Sequence, residues 1–463
     1  MSDGLSEPEA PTNNYGQEQG ATLERTLGLG TVVLIGLAYM TPLIVLGTYG
    51  VVAQLSNGTV PTAYLVTLVA MLFTALSYGR MASLYPVAGS AYTYVGKELG
   101  PQLGFLSGWL IQLDYFFLPM VAWLIGAAYL SAQFPGVPTP VWILAFILIT
   151  TVLNVVGIKT AARANFLLMA LQLLVLFIFV VLCLTYFITG DTGASLTSPF
   201  LNAKTTSGGI AAGAALAAYS FIGFDAVTTL TEETRDPRRT IPRAVLITAL
   251  LCGVLFVVAA YATQLAHPGA SFKNPDSAAF EIARTIGGNL FASFFLAGLI
   301  VAQFAAGLAI QATSSRLLYA MGRDGVLPRP VLGYLSPRFR TPVFGIVLIG
   351  LVGLAALFLD VATSTSFINF GAFSAFTLLN LSVIAHFLRN RPQRGASALL
   401  VWVALPLAGA AVDLYLLTQL DIHAVLFGLV WMVIGVLLLT YLTRGFRQAP
   451  PQLSIDEGTE AAP

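Results

Sequence analysis

Charge is what this 463-residue sequence has least of: Asp, Glu, Lys and Arg make up 9% of it, against roughly 25% in a soluble globular domain. With 57% of positions apolar, too few polar side chains remain to cover a water-facing surface, and an ordinary soluble fold is excluded. Cysteine is nearly absent. Cys183 and Cys252 sit in separate apolar runs with no metal-ligand spacing around them, which argues against a disulfide framework or a redox role. The three histidines, His267, His386 and His423, are read at or beyond span ends and far apart, so neither a metal centre nor an acid–base pair is expected.

Other absences narrow the class further. The net charge of +1 creates no field for nucleic acid or acidic substrates. No Walker sequence is present, so ATP is not the energy source and no cofactor is implied. No span carries Arg at every third position and no TVGYG-like filter occurs, which removes support for a voltage sensor or potassium pore. The first thirty residues are rich in Glu, Asn, Gln, Pro and Gly and lack the basic-then-apolar design of a cleaved signal. Residues 1–30 are expected to be a disordered cytoplasmic tail, and 444–463 a cytoplasmic tail disordered from Ala449 onward.

What is present is apolar length. Twelve stretches suit spanning helices of ~20 residues: 31–53, 62–84, 102–132, 139–157, 164–188, 209–233, 243–266, 289–319, 342–360, 364–387, 397–417 and 423–442. Allotting Lys and Arg to alternate loops tests the count. Only Lys204, Lys273 and Arg284 fall on one side, and the other 19 of the 22 fall opposite. The expectation is an all-α integral protein of the plasma (inner) membrane, its partner the lipid bilayer, with both termini cytoplasmic.

Two spans carry signs of interruption. In the first, Thr41-Pro42 puts a residue without an N–H in mid-membrane and also reads as a fresh helix start, hydroxyl cap then proline. In the sixth, Ser220 and Gly223 lie among bulky residues just before Asp225. These spans hold the same place in two halves of five, residues 31–188 and 209–388, with 397–443 as two added helices. Matched breaks point to a substrate site between inverted repeats, whereas a lone proline would read as a kink.

Five segments carry a family resemblance: GLAYMTP (36–42), AGSAYTY (88–94), FIGFDAVTTL (221–230), EET (232–234) and SRLLYAMGRD (315–324). They resemble the amino acid–polyamine–organocation permeases, and most of all bacterial putrescine importers. The resemblance implies a LeuT-like five-plus-five inverted repeat with discontinuous helices 1 and 6, alternating access, and a site between spans one, three, six, eight and ten. It also implies an acidic residue in the second half of the first span, where this chain has Gly47, which weakens the case for a diamine. Where amino-acid members often carry a lysine in the fifth span, the matching residue is Gln172, so coupling through that lysine is not available.

The substrate-binding candidates are Ala38, Tyr39, Met40 and Thr41 at the first break, and Tyr219, Ser220, Phe221 and Ile222 at the second. To these are added Asp114, Tyr115 and Asp225. Asp114 and Asp225 have no basic residue at comparable depth, so each carries a proton, is bonded to broken backbone, or meets a bound cation. Tyr219 reads as an aromatic gate or a packed core residue. Gln172, Glu232 and Glu233 are gate or coupling candidates, the two glutamates forming an interfacial ion-pair network with Arg235, Arg238 and Arg239. Asp360 and Asp413 read as structural. The sequence thus favours a secondary transporter of a small organic cation such as putrescine, with a proton as coupling ion. A neutral or cationic amino-acid permease or exchanger is the alternative, and no enzyme activity is expected.

Overall fold

A computed structural model describes residues 25–87, 90–157, 162–190, 192–323, 329–336, 338–390, 395–448 and 450. Most of both expected tails, Ala88-Gly89 and Asp324 lie outside the described residues. The first span comes in pieces: α1 Leu29–Tyr39, α2 Ile44–Gly47 and α3 Tyr49–Leu55. Then follow α4 Val60–Leu84, α5 Ala91–Leu99, α6 Pro101–Gln133, α7 Thr139–Val156 and α8 Ala162–Thr189. The sixth span is α9 Ser207–Ala217 followed by two 3-10 segments, Ala218–Phe221 and Asp225–Glu233. The remainder is α10 Pro237–Ala266, α11 Ala278–Arg323, the single turn α12 Arg329–Leu332, α13 Val343–Gly353, α14 Val361–Asn390, α15 Ala396–Leu399, α16 Leu405–Leu417 and α17 Ile422–Leu442.

Among the described residues, eleven helical elements are long and apolar enough to cross a bilayer, and no strand is formed. The expected ninth span corresponds to Val343–Leu357, which is short of the ~20 residues a perpendicular crossing needs. The expected eighth span starts earlier than its apolar run, at Ala278, and bends at Gly288, where φ is 67°. The apolar run alone could not reveal that turn. Between spans two and three lies α5, a short helix off the spanning set whose Ser90 hydroxyl accepts from Tyr92 N–H at 3.4 Å. On the far flank α6 and α17 are pinned by Trp109 and Trp431, stacked at 4.6 Å, each indole N–H donating to the other residue's carbonyl (2.8 and 2.9 Å).

The first break follows from Pro42. Proline cannot donate to a carbonyl four residues back, its ring clashes with that carbonyl, and it drives the preceding residue out of the α-helical region. Thr41 leaves the helical region, but into the left-handed one (φ 47°) rather than the extended one that a following proline favours, and Ile44 N–H bonds to Thr41 O at 2.9 Å as the chain re-enters a helix. The expected cap is not formed: α2 starts at Ile44, Leu43 occupies its cap position, and no side chain caps it. A left-handed Thr41 carries the reversal instead.

At the second break the α-helix tightens into the 3-10 turn Ala218–Phe221. Ile222 then extends (φ −59°, ψ 130°) and Gly223 takes φ 111°.

Candidate functional site

The two breaks touch. A Cβ built on Gly223 would lie 3.2 Å from the carbonyl carbon and oxygen of Tyr39, so only a residue without a side chain lets the two interruptions meet backbone to backbone. Each broken span has a closed and an open half. In the first, α2 is buried throughout and α3 is buried from Tyr49 to Ala53, whereas only Val32, Val33 and Gly36 of α1 are buried. In the sixth, Gly213–Phe221 is buried, whereas only Val227, Thr228 and Thr231 of Asp225–Glu233 are. The open halves lie side by side: Leu27 N–H donates to Glu233 O and Arg235 N–H to Leu27 O, both at 2.9 Å.

Two acids belong to this neighbourhood. Asp114 from α6 and Asp225 at the second break are close enough for their charges to interact, and Tyr39, Tyr115 and Tyr219 lie in the same electrostatic neighbourhood. Asp225 accepts from the Tyr78 hydroxyl at 3.4 Å and interacts with the backbone amides of Gly223, Asp225 and Ala226. Asp114 Oδ1 is buried with no hydrogen-bond partner, although Asp114 and Asp225 as residues are only partly buried. No Lys or Arg is among the groups acting on either acid. The site therefore offers two carboxyl groups without a basic partner next to a half-exposed aromatic: Tyr39 is 55% exposed.

The remaining expected residues divide by what their side chains touch. Ala38, Thr41, Tyr115 and Ile222 are partly exposed at the junction, and Tyr115 O accepts from Ser314 Oγ, tying α6 to α11. The side chains of Met40, Tyr219, Ser220 and Phe221 are buried. Phe221 packs on Phe256 at 5.4 Å. The Ser220 hydroxyl is committed to Tyr64 Oη (3.0 Å), which also reaches Thr48 Oγ1 at 3.5 Å. Gln172 is buried in α8 with Oε1 unpaired.

The expected ion-pair network of Glu232 and Glu233 is not present. Among the described residues neither enters an ion pair, and the acid beside the arginines is Asp236, 3.8 Å from Arg239. The reason is local: the 3-10 segment ends at Glu233, Thr234 is extended, and Asp236 turns left-handed (φ 46°), which separates the glutamates from the arginines.

Sequence reasoning missed the wall behind the junction. Tyr78 and Phe376 pack 5.8 Å apart, and both contact Phe224 (5.8 and 5.6 Å). Asn369 Nδ2 donates to Ala215 O (2.7 Å) and Leu216 O (3.3 Å), where α9 tightens into its 3-10 turn. The usable signal was amide residues inside the tenth apolar span, since polar groups at that depth need partners. His386, near the end of α14 as expected, is buried and lies 2.5 Å from Glu98 Oε1, a pairing the sequence did not show. Glu98, 1% exposed, further accepts from the Tyr85 hydroxyl (2.6 Å) and lies 3.7 Å from Arg389, fastening α5 to α14.

Comparison with known proteins agrees with this architecture. The amino acid permease family matches residues 31–443. The low-affinity putrescine importer PlaP of Escherichia coli (strain K12) is 38% identical over 434 residues, 93% of this chain and 96% of that one. The branched-chain amino acid permease BcaP of Bacillus subtilis is 26% identical over 445 residues, 91% and 92% of the two chains. The vacuolar cationic amino acid transporter 4 of Arabidopsis thaliana is 30% identical over 390 residues, 80% of this chain and 62% of that one. These relatives are named as transporters, not enzymes, and a chain matched almost end to end, with its apolar helices broken at two touching points, belongs to the amino acid permease family of the amino acid–polyamine–organocation superfamily.

Proposed function

We propose that this protein is a secondary active transporter that imports a small organic cation, a polyamine such as putrescine, across the plasma membrane with a proton. It works by alternating access about the two breaks. The reading includes twelve spans, a five-plus-five inverted repeat, and both termini in the cytoplasm. The observation that carries it is the pairing of Asp114 and Asp225 at the junction with no basic neighbour and with Asp114 Oδ1 unpaired. An uncompensated carboxylate at that depth is costly, about 2.5–3.5 kcal/mol on insertion scales, and an ammonium group supplies the missing charge while the Tyr39 and Tyr115 rings supply cation–π faces. Irregular backbone at membrane depth is tolerated where it lines a cavity. The adjacency of the N-terminal half of span one and the C-terminal half of span six is what inverted repeats produce. The putrescine importer among the relatives points the same way.

The second reading, a neutral or cationic amino-acid permease or exchanger, is favoured by the branched-chain and cationic amino acid relatives. It is also favoured by Gly47, which packs against Ile125 rather than presenting an acid. Thermal stabilisation of the purified protein by putrescine and spermidine, set against neutral and basic amino acids, separates the two. A shift with a zwitterion and none with any amine would overturn the polyamine reading. Asp114→Asn and Asp225→Asn are expected to lose amine uptake while reaching the membrane in normal amount. Normal uptake in both would return these acids to a structural role.

A further inference from the structure

Away from the junction, three polar side chains meet where α4, α14 and α16 pack together. Thr74, Asn380 and Asp413 are all fully buried. Thr74 Oγ1 and Asn380 Nδ2 each donate to Asp413 Oδ2 at 3.0 Å, and Asn380 Nδ2 reaches Thr74 Oγ1 at 3.1 Å. Gly409, one turn before Asp413, makes the space: a Cβ there would lie 2.9 Å from both Nδ2 and Oδ1 of Asn380. The amide is thus pressed against the α16 backbone.

Two acceptors are left over. Asp413 Oδ1 and Asn380 Oδ1 are buried with no partner, and they belong to residues already joined through their other polar atoms. Were Asp413 ionised, a charge and two unmatched oxygens would sit in an apolar surround, the costliest arrangement available. One proton on Asp413 Oδ1 removes the charge and converts that oxygen to a donor for Asn380 Oδ1, closing an acid–amide pair. A metal ion fits poorly, since hard cations take about six oxygens or more and the cluster has two free. The titratable groups on the elements packed against α16 are Tyr64, Tyr78 and Arg80 on α4 and His386 and Arg389 on α14. None of them bonds to Asp413, and neither α9 nor the adjoining segment Leu400–Ala404 carries one.

We propose that Asp413, with Asn380 and Thr74, is a proton-binding site separate from the substrate site, and that its occupancy follows the position of the second broken helix. The mechanical link is short. Tyr78 and Phe376 lie one helical turn, about 5.4 Å, from Thr74 and Asn380 on the same helices, and they hold Phe224 and, through the Tyr78 hydroxyl, Asp225. A shift of the second break that moves Tyr78 against Phe376 also moves Thr74 against Asn380. That opens the acid–amide pair and gives the proton on Asp413 Oδ1 to water admitted from the cytoplasm, leaving Asp413 as a carboxylate. This coupling rests on the proton-symport reading above, whereas the site itself does not.

Infrared spectroscopy of the purified protein tests the site without any substrate. A buried protonated carboxylic acid C=O band, shifted in D2O, is expected in the wild type. It should be missing in Asp413→Asn and displaced in Asn380→Ala, and it should persist in Asp114→Asn. Its presence unchanged in Asp413→Asn, or its absence from the wild type, would overturn the site whatever the cargo. Proteoliposome uptake tests the coupling: an inward proton gradient should raise wild-type amine uptake several-fold and leave Asp413→Asn within twofold, with amine-induced thermal stabilisation retained. A gradient response equal to wild type in that variant would overturn the coupling. Failure of every amine to be transported or to stabilise would instead overturn the substrate reading and leave the infrared result standing.

Discussion

Replacing Gly223 by alanine perturbs the protein where its two interruptions meet. The residue sits at φ 111°, and a non-glycine residue held in so sparsely populated a region costs about 1–3 kcal/mol. The added methyl would lie 3.2 Å from the carbonyl carbon and oxygen of Tyr39, so the two breaks must also part by a few tenths of an ångström, against backbone and not a flexible side-chain tip. If that penalty falls on the conformation in which the breaks touch, its population drops roughly 5- to 150-fold. Uptake in proteoliposomes should fall within that range, with a lower melting temperature in detergent. Gly136→Ala is the control: nothing lies within 4 Å of its built Cβ, and both readouts should match the wild type. Wild-type uptake and stability in Gly223→Ala would refute the claim that the breaks depend on backbone contact.

Three further outcomes follow from the polar contacts. Glu98→Ala leaves the Tyr85 hydroxyl and the buried His386 without their acceptor, which should cost about 1–3 kcal/mol in stability. Chemical denaturation of the purified protein measures it, and an unchanged midpoint would show that α5 is not held by this contact. Tyr64→Phe breaks the Thr48–Tyr64–Ser220 chain between the closed halves. A loss of about 0.5–1.5 kcal/mol and no change in amine-induced stabilisation are expected, since none of the three faces the junction. Burial, and next the bond to Glu98, push the Tyr85 hydroxyl from 10.0 up to about 12. The folded state then holds that proton more tightly than the unfolded one, so the stability it contributes is intact below pH 10 and lost as pH rises through 12. A melting profile across that window should show a smaller alkaline loss in Tyr85→Phe than in the wild type, and an equal loss in both would refute the assignment.

The apolar run lengths determined the membrane class, because a bilayer accepts backbone only as closed helices or barrels and the charge here is too sparse for water. Local chemistry determined the first break, since Pro42 removes a donor and constrains Thr41 whatever surrounds them. Glycine and serine between bulky residues marked the second break, but not its geometry. Only the tertiary structure decided the rest. That Gly223 abuts Tyr39, that Asp114 and Asp225 share one neighbourhood, and that Glu232 and Glu233 miss the arginines all depend on how helices distant in sequence pack. Hydropathy carries no information about which face of one helix meets which face of another. The same reason hid Glu98 with His386 and Thr74 with Asn380 and Asp413: each residue alone reads as an isolated polar group, and its meaning comes from a partner on another helix.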